Sequence, residues 1–151
     1  MEITRRTDYA IRILLALAGL PRDERLSARE LGTLQEVPYA FARGILTELA
    51  GAGFVTSRRG VGGGVSLARP AEAITLLEVV EAMEGHISLN LCTRDPDYCG
   101  RAGGCFMHQI WQEAEQTLRA SLASYDFALL AGGRRSPLQA VEPKENLAPT
   151  I

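Results

Sequence analysis

Three cysteines and a histidine fall within seventeen residues, in the pattern Cys92-x6-Cys99-x5-Cys105-x2-His108. Thiolates with an imidazole are soft donors, suited to zinc or to the iron of an iron–sulfur cluster. A structural zinc knuckle usually places two cysteines about two to four residues apart, and no such pair occurs here. Wider spacing in a loop lets the chain wrap an object larger than one ion. A third reading is incidental thiols, which usually sit singly on apolar faces. The neighbours here are Asp95, Pro96, Asp97, Gly100, Gly103 and Gly104, and these make no core. A cluster is the favoured reading, with a zinc site as the alternative. His108 follows Cys105 by one helical turn, which puts the two on one face of any helix starting there.

A second group lies upstream, in Arg58-Arg59-Gly60-Val61-Gly62-Gly63-Gly64. Glycine costs backbone entropy, so four in five positions are a poor choice for a merely structural turn. They allow the backbone to approach phosphate or enter a minor groove, where negative potential favours arginine. The string lacks the Gly-Lys-Ser/Thr ending of a nucleotide cradle, and no helix follows it directly. Before it, the segment 38–50 offers Tyr39, Ala40 and Arg43. Arg43 has the donors to pair bidentately with a guanine. Neither His86 nor His108 has an arguable nucleophile partner, so no enzyme and no small-molecule substrate are expected.

The elements that must position these groups follow from the periodicity. Thr7 and Asp8 offer cap chemistry for a helix over about 8–20, with Tyr9, Ile13, Leu14 and Leu17 at helical spacing. Ser27 and Glu30 fit a capping box opening a helix over about 28–35 that carries Leu31 and Leu34. Pro38 fits the first turn of a third helix, with Phe41, Ile45, Leu46 and Leu49 as its apolar stripe. Two β-like runs, 54–57 and 65–68, flank the glycine-rich tip as a hairpin. Thr75 caps a helix over about 76–84. The stretch 86–105 has no period, and a long helix over about 106–123 carries Phe106, Ile110, Ala114, Leu118 and Leu122. A short apolar segment, 125–131, follows.

The expected fold is mainly α with a small β-hairpin wing: a winged helix-turn-helix over 1–70, a ligand loop with long helix over 71–131, and a disordered tail over 132–151. The composition, 46% hydrophobic and 23% charged, is that of a globular chain and excludes collagen-like and highly charged disordered classes. No apolar run reaches the roughly 18 residues of a membrane span. The apolar stretch after Arg5 and Arg6 is interrupted by Asp8 and Arg12, which argues for an amphipathic helix over a signal peptide. A cytoplasmic protein is expected, and three cysteines argue against a disulfide framework there. Charge is uneven: residues 1–70 hold ten arginines and seven acids, a balance of +3, and residues 71–151 carry −5. That fits a module facing a polyanion joined to one with another task.

Together, Thr7-Asp8-Tyr9-Ala10, the wing Arg59-Gly60-Val61-Gly62-Gly63-Gly64 and the stretch Cys105-Phe-Met-His108-Gln-Ile-Trp111 resemble the IscR/NsrR-type winged-helix regulators of bacteria, over about residues 1–131. The resemblance implies a homodimeric transcription factor bound to a double-stranded DNA operator. Its long helix after the cysteines would be the dimerisation helix, and its cluster would tune operator affinity. Members with a 2Fe-2S cluster use three cysteines and a histidine, which map to Cys92, Cys99, Cys105 and His108. Members with a 4Fe-4S cluster use three cysteines and an aspartate, which maps to Asp8 of the partner subunit. The 2Fe-2S assignment is favoured, because His108 is tied to Cys105 by a short segment and little loop entropy is lost in closing the site. The DNA-facing residues would be Tyr39, Ala40, Arg43, Arg58, Arg59 and Gly60. One departure is Gly44, where the family usually carries a long polar side chain on the recognition helix. An iron–sulfur carrier or electron-transfer protein is the competing class.

Overall fold

The computed structural model describes residues 2–95 and 97–133. From residue 134 onward, the expected disordered tail lies outside the described residues. Three helices come first: α1 (Arg5–Ala18), α2 (Ala28–Leu34) and α3 (Tyr39–Gly51). Strands β1 (Val55–Arg58) and β2 (Gly64–Leu67) pair antiparallel, with Val55 opposite Leu67 and Arg58 opposite Gly64. A single 3-10 turn at Ala71–Ala73 leads into α4 (Leu76–Glu84). Then come α5 (Leu91–Arg94), a second 3-10 turn at Ala102–Gly104, the long α6 (Phe106–Ala123) and α7 (Phe127–Ala131). The mainly helical chain with its hairpin wing is the architecture the sequence predicts.

Several local details differ from the sequence expectation. Helix α1 starts earlier, capped by Thr4, whose hydroxyl accepts from the Thr7 N–H at 3.4 Å. The cause is distant: the Glu84 carboxylate accepts from the Thr4 N–H at 2.9 Å, the Thr4 hydroxyl at 2.7 Å and the Thr7 hydroxyl. Thr7 is therefore a buried residue inside the first turn instead of the cap. The capping box of α2 is present as read, with Ser27 N–H donating to Glu30 at 2.7 Å and Glu30 N–H to Ser27 at 3.2 Å. In α2 only Leu31 of the two leucines is buried, and Leu34 is 59% exposed. In α3 the core stripe is Ala42, Ile45, Leu46 and Leu49, and Phe41 is 57% exposed. The 3.6-residue period explains this: Ala42 begins the i, i+3, i+4, i+7 row, which leaves Phe41 at its border. The strands sit one residue from their expected places, and 86–105 contains the short α5 as well as loop.

One hydrophobic core joins α1, α2, α3, the two strands, α4 and α7. Ala10, Ile13 and Leu14 of α1 pack with Leu31, Ile45 and Leu49, with Val55 and Val65 of the wing base, and with Ile74, Val79 and Phe127. The core therefore crosses position 70, and residues after it complete the packing around α1. Helix α7 is fastened to the start of α4 by Leu76 N–H to Tyr125 O at 2.8 Å and Phe127 N–H to Ile74 O at 3.0 Å.

Candidate nucleic-acid interface and metal-ligand loop

Helices α2 and α3 are joined by a tight turn in which Val37 N–H donates to Gly32 O at 2.8 Å. Gly32 has no room for a side chain: a Cβ there would lie 2.8 Å from the Val37 carbonyl oxygen. The turn presents the start of α3 outward. Tyr39, Ala40 and Arg43 are all exposed there. Two guanidinium groups lie over the Tyr39 ring, Arg29 at 4.9 Å and Arg43 at 6.0 Å from its centroid. Such stacking holds flexible arginines over an aromatic face and leaves their N–H groups available to an anion. Arg29 has no sequence signal of its own; only the packing of α2 on α3 brings it to this patch.

At the wing, Arg58 and Arg59 are exposed and Val61 projects fully into solvent. The tip closes by a hydrogen bond from Gly63 N–H to Gly60 O at 2.9 Å. Gly60 (φ 92°) and Gly62 (φ 70°) hold the left-handed conformations that close the turn. The base of the wing is held by Leu26, which exchanges bonds with Val65 at 3.1 and 2.8 Å. A hydrogen-bonded base therefore carries an exposed tip of arginine and glycine, groups suited to contact with a polyanion.

In the cysteine segment, Cys92 lies on α5 and His108 in the first turn of α6. Their side chains meet, with Cys92 Sγ 3.5 Å from His108 Nδ1. Both border an open cleft of about 510 Å³ that Thr93, Gly103 and Gln112 also line. Cys99 and Cys105 are on the segment between α5 and α6, and all three cysteines are half-buried free thiols. Among the described residues, no three potential ligands converge on one point. The donor set fits a soft metal centre in its chemistry, and one pair of donors is already together. Asp8 lies in the first turn of α1, where it is ion-paired with Arg12 at 2.9 Å.

The family profile described as "Rrf2: Iron-dependent Transcriptional regulator" matches residues 3–132, nearly the whole described chain. The chain belongs to the Rrf2 family. It is accordingly a DNA-binding transcription regulator and not an enzyme. Solved structures share the Rrf2 fold. CymR (YrzC), the global cysteine regulator of B. subtilis, matches with a TM-score of 0.74 at 22% identity, over 88% of this chain and 98% of that one. IscR of T. potens matches with a TM-score of 0.69 at 17% identity, over 95% and 94%. An oxidized form of Staphylococcus aureus CymR matches with a TM-score of 0.67 at 21% identity, over 87% and 96%. At these identities the likeness is one of fold. In this Rrf2 protein no helix among the described residues is long and apolar enough to cross a membrane.

Proposed function

We propose that this Rrf2 protein is a homodimeric regulator whose affinity for a DNA operator is set by an iron–sulfur cluster, 2Fe-2S in type, held by Cys92, Cys99, Cys105 and His108. The observation that carries this reading is the approach of Cys92 Sγ to His108 Nδ1 at 3.5 Å, which unites donors sixteen residues apart on two helices. When bound, such a group supplies one-electron redox chemistry and reactivity toward oxidants or nitric oxide. The chain's own residues do the rest. Cys92 and His108 provide a preformed edge of the site, and Cys99 and Cys105 lie on a glycine-containing segment that can adjust around it. In the DNA-binding module, Arg43 and Tyr39 on α3 serve base recognition in the major groove, with Ala40 beside them. Arg58, Arg59 and Gly60 on the wing serve phosphate or minor-groove contact. A second copy of the chain is supported by α6, whose row Ile110, Ala114, Leu118 and Leu122 is only half covered, with Phe106 72% exposed at its start.

The test is protein purified without air. Iron and sulfide in stoichiometric amounts with a coloured spectrum are expected, and gel shifts on the promoter upstream of its own gene should differ between cluster-loaded and cluster-free protein. His108→Ala should alter the spectrum and Asp8→Ala should not. The reverse result would assign a 4Fe-4S cluster with Asp8 of the partner subunit as fourth ligand. One zinc and no iron would replace the cluster with a structural zinc site. Cluster transfer to acceptor proteins without any shift of DNA would show a carrier.

A further inference from the structure

The long helix α6 has a single buried residue, and it is a carboxylate: Glu115, 7% exposed. It stands seven positions after His108, two turns along the same face. One of its oxygens, Oε1, accepts from the Leu89 N–H at 2.7 Å and from the Thr93 hydroxyl. Leu89 precedes the turn that carries Cys92, and Thr93 follows Cys92 directly. Both sides of that turn are thus tied to one oxygen on the helix that carries His108. Among the described residues, no lysine or arginine forms an ion pair with Glu115. Burying a carboxyl this way is costly unless hydrogen bonds compensate. A leucine would cover the same surface at lower cost, so packing alone does not account for the residue.

We infer that Glu115 is a positioning residue for the metal site: it docks α5 on α6 and thereby holds Cys92 Sγ within reach of His108 Nδ1. The inference rests on the proposed cluster ligation by these two residues. Glu115 itself contributes no bond to the metal. Outer-shell partners that orient ligands typically change metal retention by about 10–100-fold when removed.

The experiment uses full-length protein purified without air, as wild type, Glu115→Gln, Glu115→Leu and Thr93→Val, with iron release to a chelator and the visible circular dichroism spectrum as readouts. Glu115→Gln keeps an acceptor oxygen in place and should match wild type. Glu115→Leu should lose iron roughly 10–100-fold faster, with an altered spectrum. Its far-ultraviolet spectrum and the affinity of the cluster-free form for a generic duplex should not change. Thr93→Val removes one donor with little change in bulk and should fall between; it carries the test if Glu115→Leu does not fold. Iron-loaded wild type with Glu115→Leu and Thr93→Val indistinguishable from it would overturn the positioning role alone. Wild type that holds no iron would overturn the cluster reading and this role with it.

Discussion

Replacing Gly63 with alanine should disable the wing while leaving the fold intact. A Cβ at this position would lie 2.3 Å from the Arg58 carbonyl oxygen and 2.7 Å from that of Gly60. Carbon–oxygen contacts need about 3.3 Å, so the backbone of the tip must open by roughly 1 Å. That movement pulls on the 2.9 Å bond from Gly63 N–H to Gly60 O that closes the turn. The distortion should stop at the wing base, where Val55 and Val65 are buried and Leu26 is bonded to Val65 on both sides. Arg58 and Arg59 sit on the displaced tip. Each arginine that neutralises a phosphate contributes about 0.9 to the slope of log affinity against log salt, so one tip carries about 1.8. At a salt concentration of about 0.1 M this corresponds to roughly 60-fold in affinity, or about 2.4 kcal/mol.

Fluorescence anisotropy on a labelled duplex across a salt series measures both quantities, with a thermal melt as the control for folding. Gly62→Ala separates clash from conformational cost. Gly62 has φ 70°, and a Cβ placed on it would meet no atom within 4 Å. Alanine there therefore costs about 1–2 kcal/mol locally without forcing the turn open. Gly63→Ala should show a shallower slope and weaker binding than Gly62→Ala, with both still melting cooperatively, a few degrees below wild type. Unchanged affinity and slope in Gly63→Ala would refute the argument. If the Arg58→Ala, Arg59→Ala double variant were also unchanged, the wing would not contact DNA at all.

Two further outcomes follow from the packing. Gly44 is exposed in the middle of α3 with open space around it, so Gly44→Ala should raise stability by about 1 kcal/mol, read as a rise of a few degrees in Tm. Thr7→Val deletes the buried hydroxyl that donates to Glu84 and should cost about 1–2 kcal/mol at neutral pH. The Thr7 hydroxyl, and after it the Thr4 hydroxyl, hold the Glu84 carboxyl below its ordinary pKa of 4.5. A carboxyl lowered on folding contributes its stability in full above that ordinary value and loses it as pH falls through the lower folded value. The gap in Tm between wild type and Thr7→Val should therefore be constant above pH 4.5 and close below it; a gap that persists through acid unfolding would show that the hydroxyl acts by packing alone.

The architecture was legible because local rules and long-range packing agree over most of the chain. The Ser27–Glu30 box, the Thr75 cap and the glycine tip each write their own geometry into a few adjacent residues. The failures are places where a distant residue decides. Thr7 and Asp8 have good cap chemistry, yet Glu84 draws the helix start back to Thr4 from eighty positions away. Phe41 has the apolarity of a core residue, but its position at the border of the α3 stripe leaves it outside, edge-on to Tyr9 at 6.3 Å between ring centroids. The proposed ligand residues stand out by type and spacing. Glu115 does not, because a carboxylate on an amphipathic helix reads as solvated until the segment 89–93 is seen to fold over it.

The half-covered apolar row of α6 explains why a second chain belongs in the proposal. Eighteen residues of helix are marginal alone in water, and a helix in a protein is normally held by an apolar face buried against its own core. Here the core ends with Phe127, and no apolar residue of α6 enters it as a buried member. The polar ties of α6 within the chain run from Glu115 to the turn at 89–93 and from Arg119 to Glu81 on α4, where Glu81 also accepts from Ile87 N–H at 3.2 Å. Polar ties of this kind fix direction and register but bury little apolar surface, and burial is the dominant favourable term in folding. The half-covered row from Ile110 to Leu122 therefore has hydrophobic stabilisation still to gain. A twofold partner presenting the same row would cover it on both chains at once, as a self-complementary interface requires. The same geometry would place two wings and two α3 helices on one assembly, which is what a two-half-site operator needs from a protein with a single recognition helix per chain.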